Sequence, residues 1–129
     1  MPKLLLMAVL AVSLAGCSAA RTTLSREFQG RWEARGESCT DPDGVAAMWV
    51  QPDQVQFYES GGEVSAIRRT NARTLDVTFR DWSDDQGEAP VAKAARMALS
   101  TDGDAMTFTV DGYATVYLRC PASDGGKRS

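Results

Sequence analysis

The sequence predicts an all-β fold: a small antiparallel meander of eight short strands, or the closed barrel that eight strands can form. Three observations lead there. Residues 28–121 alternate apolar and polar side chains in short runs, the period of half-buried strands. Turn residues of the Asp-Gly, Pro-Asp and Gly-Gly kinds separate those runs. No internal repeat is present, and 129 residues suit a single modest core. Eight strands also make a barrel that its own side chains fill, and closure removes exposed edges.

The first strand is expected around Arg31–Arg35. Asp41-Pro42-Asp43-Gly44 forms a loop before the second, Ala46–Gln51. Pro52-Asp53 turns tightly into the third, Gln54–Glu59, where Val55 and Phe57 alternate with Gln56 and Tyr58. Ser60-Gly61-Gly62 reads as the next turn, leading to the fourth strand, Glu63–Arg69, and Asn71 marks another turn. The fifth, Thr74–Asp81, alternates strictly, with Leu75, Val77 and Phe79 on one face and Thr74, Asp76, Thr78 and Arg80 on the other. An acidic loop through Pro90 follows. Pro90–Ser100 carries two patterns: Val91, Ala94, Ala95, Ala98 and Leu99 at helical spacing, and Met97 and Leu99 alternating into a turn. A strand near Ala94–Ser100 is expected there, with a helical turn before it left open. Thr101-Asp102-Gly103-Asp104 and Asp111-Gly112 are hairpin signatures. They bound the seventh strand, with Met106, Phe108 and Val110 inward, and the eighth, Tyr113–Cys120.

The chain begins MPKLLLMAVLAVSLAGCSAA. Lys3 supplies a basic start, and the apolar run from Leu4 to Leu14 is broken only by Ser13. That run falls short of the roughly 20 residues a bilayer span needs, and has the order of a secretory signal. LAGC, Leu14 to Cys17, resembles the lipobox of bacterial lipoproteins. The resemblance implies a diacylglycerol on the Cys17 sulfur, cleavage just before it, and usually acylation of the new amine. Such a chain is anchored to a membrane without spanning it. The expected organisation is a signal peptide over 1–16, lipidated Cys17 and a flexible tether through 27, a barrel domain over 28–121, and a disordered tail over 122–129. By the same resemblance, Ser18 favours the outer membrane, with the domain facing the periplasm.

With Cys17 assigned to lipid, Cys39 and Cys120 are left as an even pair in an oxidising compartment, and a disulfide between them is expected. The net charge of −3 becomes one unit more negative once Lys3 leaves with the signal. That balance argues against nucleic acid, which requires a clustered basic face. There is no histidine, which removes the commonest general base and the commonest transition-metal ligand together. Ser60 and Ser100 therefore have no histidine to activate them, and no nucleophile elbow is present. Neither a catalytic residue nor a cofactor or metal is expected.

Gly30-Arg31-Trp32 resembles the Gly-x-Trp of lipocalins and the wider calycin group. That resemblance implies a lipocalin-like barrel with Trp32 at one end beneath a basic side chain from the last strand, the position Arg119 holds. If Val116 and Leu118 point inward, however, Arg119 turns outward unless a bulge or the barrel's end intervenes. The size, export signal, Gly-x-Trp and single bridge are also similar to small β-barrel inhibitors of secreted bacterial metalloproteases, which implies an inhibitor-like role. The Ser-Gly-x-x-Tyr type of motif found in lipid-anchored lysozyme inhibitors is absent, Ser60-Gly61-Gly62 being followed by Glu63 and Val64.

The acidic stretch Asp81–Glu88 lacks the alternating spacing of a calcium loop and reads as solvated. Arg68, Arg69 and Arg73 read as balancing surface carboxylates. Trp49 is expected in the core or at a barrel end. Tyr58 opposes Val55 and Phe57, and Trp82 falls in phase with outward Arg80, so these two are the expected partner contacts. The functional expectation is a non-enzymatic envelope lipoprotein that binds a protein or another envelope component, with a carrier of a small apolar ligand as the alternative.

Overall fold

The computed structural model describes residues 23–84 and 89–122; the signal, Cys17, residues 18–22 and the tail from 123 lie outside the described residues. A single 3-10 turn, Arg26–Phe28, precedes eight strands. These are β1 (Gly30–Ala34), β2 (Ala47–Val50), β3 (Gln54–Phe57), β4 (Ser60–Asn71), β5 (Thr74–Asp84), β6 (Val91–Leu99), β7 (Ala105–Val110) and β8 (Tyr113–Arg119). Each pairs antiparallel with the next, and β8 returns to β1 to close the barrel. The closing register sets Trp32 against Arg119, Glu33 against Leu118 and Ala34 against Tyr117. The closure is partial along the strands: β4 beyond Val64, the start of β6 and the start of β8 each run past the neighbour on one side.

The interior is a packed core: Trp32, Phe79, Met48, Leu75, Met97 and Met106 are all essentially inaccessible to water. The amino-terminal end of this core is closed by Leu24 and Phe28, both 0 % exposed. Leu24, expected within a tether running through residue 27, is instead part of the core, and its backbone N–H donates to Pro52 O at 2.7 Å. Burying Leu24 and Phe28 contributes about 2 kcal/mol each toward ordering this segment on the barrel.

The Asp111-Gly112 turn is as expected, with both residues at positive φ (52° and 80°) between the paired Val110 and Tyr113. Asn71 likewise turns the chain, its Oδ1 accepting from Arg73 N. Several expectations need correction. Ser60-Gly61-Gly62 is not a turn but the start of β4, and the chain reverses at Tyr58-Glu59 instead. The glycines serve close approach: a Cβ on Gly61 would fall 2.8 Å from Val55 O, and one on Gly62 would sit 3.1 Å from both Phe79 and Trp82. Gly61→Ala is accordingly expected to destabilise the domain by about 1–3 kcal/mol through overpacking, measured as a shifted urea midpoint at unchanged slope.

The open alternative over Pro90–Ser100 resolves as strand from Val91, with no helical turn. Hydrogen-bonded partners on both sides, β5 and β7, outweigh alanine's helix propensity. The inward set on β8 is Tyr117 and Arg119, whereas Leu118 is 40 % exposed. Trp82, expected outward, is only 7 % exposed. Asp81 sits at φ 53° in a register shift between Phe79 and Trp82, and this β-bulge restores Trp82 to the core face. Trp82 to Asp84 thus continue β5 rather than opening a loop, and residues 85–88 lie outside the described residues.

On the outer wall, Asp76 accepts from Arg96 Nε at 2.8 Å and Arg68 Nη2 at 3.0 Å. These hydrogen bonds, Arg96's first, hold its carboxyl down at about 2. The folded value lies below the unfolded one, so the contribution is present above the ordinary aspartate range and is lost as pH falls through about 2. A carbon-detected NMR titration is expected to find this depressed value, and Arg96→Ala is expected to raise it toward an ordinary aspartate.

Candidate functional site

The two ends of the barrel differ in construction. At the amino-terminal end the chain seals itself. Trp32 donates from Nε1 to Phe28 O at 3.0 Å, which fixes the indole beneath the 3-10 turn. The Arg119 guanidinium lies 4.2 Å from the indole centroid, the cation–π contact expected of this pair. Its donors then meet three backbone carbonyls: Gly103 O at 3.1 Å, Gln29 O at 3.1 Å, and Glu27 O. Gly30, at φ 118°, lets the backbone enter β1 beside this group. Arg119 thus ties the 3-10 turn, β1 and the β7 entry together, and its role is structural.

The loop between β1 and β2 folds down the outside of the barrel. Cys39 in this loop bonds to Cys120 beyond β8, with an S–S distance of 2.08 Å. Arg31 reaches under it, donating to Asp41 O at 2.9 Å and pairing with Glu33 at 3.2 Å. Glu33 is consequently 1 % exposed although it points away from the barrel axis, and its Oε1 is buried without a hydrogen-bond partner. No sequence signal marks this burial, because an outward glutamate on a strand is ordinarily solvated. Trp49 belongs to the same layer rather than the core, with Arg31 5.6 Å from its ring centroid and Gly44 against its edge. Between the loop and the barrel lies a cleft of about 580 Å³, lined by Gln29, Arg31, Thr40, Trp49, Arg119 and the disulfide.

The opposite end is finished differently. Phe57, Trp82, Phe108 and Tyr117 form an aromatic cluster there, with Phe57 5.2 Å from Phe108, 6.0 Å from Trp82 and 6.1 Å from Tyr117. Burial pushes the Tyr117 phenol above its usual range. Around this cluster stand exposed apolar side chains: Val45, Tyr58, Val91 and Tyr113, at 60, 54, 50 and 79 % exposure. Each lies at or just before the start of an even-numbered strand. In an up-and-down barrel all such starts share one end, the end away from the 3-10 turn. Among the described residues only Leu118 is a comparably exposed large apolar residue elsewhere.

Of the two contact residues expected from sequence, Tyr58 belongs to this rim and Trp82 lies beneath it, as support rather than contact. Val45, Val91 and Tyr113 were not anticipated, since nothing local shows that their connections converge. Arg68 and Arg69 balance carboxylates as expected, pairing with Asp76 and Glu27. Among the described residues no group of three acidic, cysteine or histidine side chains is placed to hold a metal ion. No protein-family model, curated protein or solved structure matches this chain.

Proposed function

We propose that this protein is a non-enzymatic envelope lipoprotein, a lipid-anchored barrel that binds another envelope component through the rim away from its anchor. One observation carries the reading: of the five exposed large apolar side chains among the described residues, four, Val45, Tyr58, Val91 and Tyr113, stand at one end of the barrel. Exposed apolar side chains gathered in this way mark interaction surfaces, whereas single scattered ones do not.

The anchor adds direction. Leu24 is fixed in the core, so the reach from Cys17 is at most about seven residues, or roughly 25 Å when fully extended. A lipid on Cys17 keeps the amino-terminal end nearest the bilayer and leaves the rim facing outward. The reading carries with it an outer-membrane anchorage facing the periplasm, no cofactor and no nucleic acid. An inhibitor-like action on the bound partner is one form such a module takes.

The aromatic cluster beneath the rim favours a second reading, a calycin-style carrier of a small apolar ligand held at that end. Native mass spectrometry of protein purified from its own envelope separates the two. The binding module is expected to appear at the mass of the acylated chain alone. A retained lipid-like adduct that denaturation releases would favour the carrier. A chain with an unmodified Cys17 thiol would overturn the anchor.

A further inference from the structure

The rim's charge narrows the class of partner. Glu59 follows Tyr58 directly, Asp81 precedes Trp82, whose partner across the sheet is Val91, and Glu37 lies in the turn that closes on Ala34. All three acids are exposed, and Arg35 is the base exposed beside them. Two other nearby bases are neutralised, Lys93 by Asp111 at 2.8 Å and Arg80 by Glu63 at 2.8 Å. The apolar tips therefore stand in a field of negative sign. We propose that the rim docks a cationic protein segment whose tip carries aromatic or large aliphatic side chains. This deepens the binding-module reading and rests on it.

The charges decide between the occupants such a surface could take. A second copy of the chain, meeting rim to rim, would set acid against acid around the contact, an arrangement that costs affinity. An anionic lipid surface would be repelled in the same way. A basic segment gains at both levels. Its apolar tip covers Tyr58, Val91 and Tyr113, and its charges meet Glu37, Glu59 and Asp81 at the periphery. Aromatic anchors of this kind carry most of the affinity at protein interfaces, and peripheral charges chiefly set the association rate and its salt dependence.

Selection of random peptides displayed on phage against the full chain in detergent micelles, followed by amide-shift mapping, tests this. Enriched peptides are expected to combine Lys or Arg with Trp, Phe or Leu, and to perturb amides around Tyr58, Val91 and Tyr113. Their affinity is expected to fall about tenfold between about 50 and about 300 mM salt. Glu59→Gln combined with Asp81→Asn is expected to weaken them about fivefold with the fold intact. Neutral or acidic peptides that map to the rim would overturn the cationic partner and leave the binding module standing. Peptides that map to the wall, or no enrichment, would overturn both. A concentration-dependent dimer closed through the rim would overturn the proposal in favour of a second copy.

Discussion

Trp32→Ala is expected to lower the free energy of unfolding by about 3–5 kcal/mol, a large share of what a domain of this size has. Trp32 is 0 % exposed and is the side chain on which the sealed end is built. Its removal leaves a cavity beneath the 3-10 turn and strips Arg119 of the surface it lies on. Phe28 O also loses its donor. Urea unfolding should show the midpoint falling at unchanged slope. Trp32→Phe, which keeps an aromatic face but not the indole N–H, is expected to cost about half as much. A loss below about 1 kcal/mol for the alanine variant would mean that Leu24 and Phe28 close the barrel without it.

Removing the disulfide has an effect of similar size by another route. Cys39 and Cys120 are 81 residues apart in sequence, so their bridge restricts almost the whole unfolded domain. Replacing both with alanine is expected to cost about 4 kcal/mol on chain-entropy grounds. By calorimetry this is a fall in melting temperature of roughly 15–30 °C. The bridge also holds the loop that covers Glu33. In the double variant, hydrogen exchange is therefore expected to accelerate first from Gly36 to Val45, with Arg31 and Glu33 following, before the rest of the barrel opens. Uniform acceleration would show instead that the loop is held independently of its staple.

Much of the fold was legible because its signals are local. Asp111-Gly112 specifies its own turn, and the alternation in Thr74–Asp81 specifies its own faces. The cysteine pair followed from counting once Cys17 was set aside. The misread features depend on what the chain meets after folding. Gly61 and Gly62 look like a turn because glycine does the same thing for a turn and for close approach. One extra residue at Asp81 reverses the phase of everything after it, and a period-two reading has no means of seeing it. Leu118 deceived for a related reason: apolar residues on the outer wall carry no mark that distinguishes them from core.

The candidate site was legible in one residue of four. Tyr58 stood out because it opposes a clear inward face. Val45, Val91 and Tyr113 acquire meaning only when the meander closes and brings their strand starts to one end. Trp32 and Arg119, by contrast, were found through a family resemblance, and their contact is as that resemblance implied. That contact belongs to the sealed end. The proposed binding role belongs to the far end, and the two ends are separated by the length of the strands, so substitutions at one should leave the other's property untouched.

On the proposed reading the rim, and not the wall, meets a partner. Photocrosslinking in living cells tests it most directly, with a photoreactive phenylalanine placed singly at 58 and 113 on the rim, and at 107 on the outer wall. One discrete crosslinked species of the same size is expected from both rim positions and is expected to be absent from position 107. Equal capture from position 107, or no discrete species from either rim position, would contradict it.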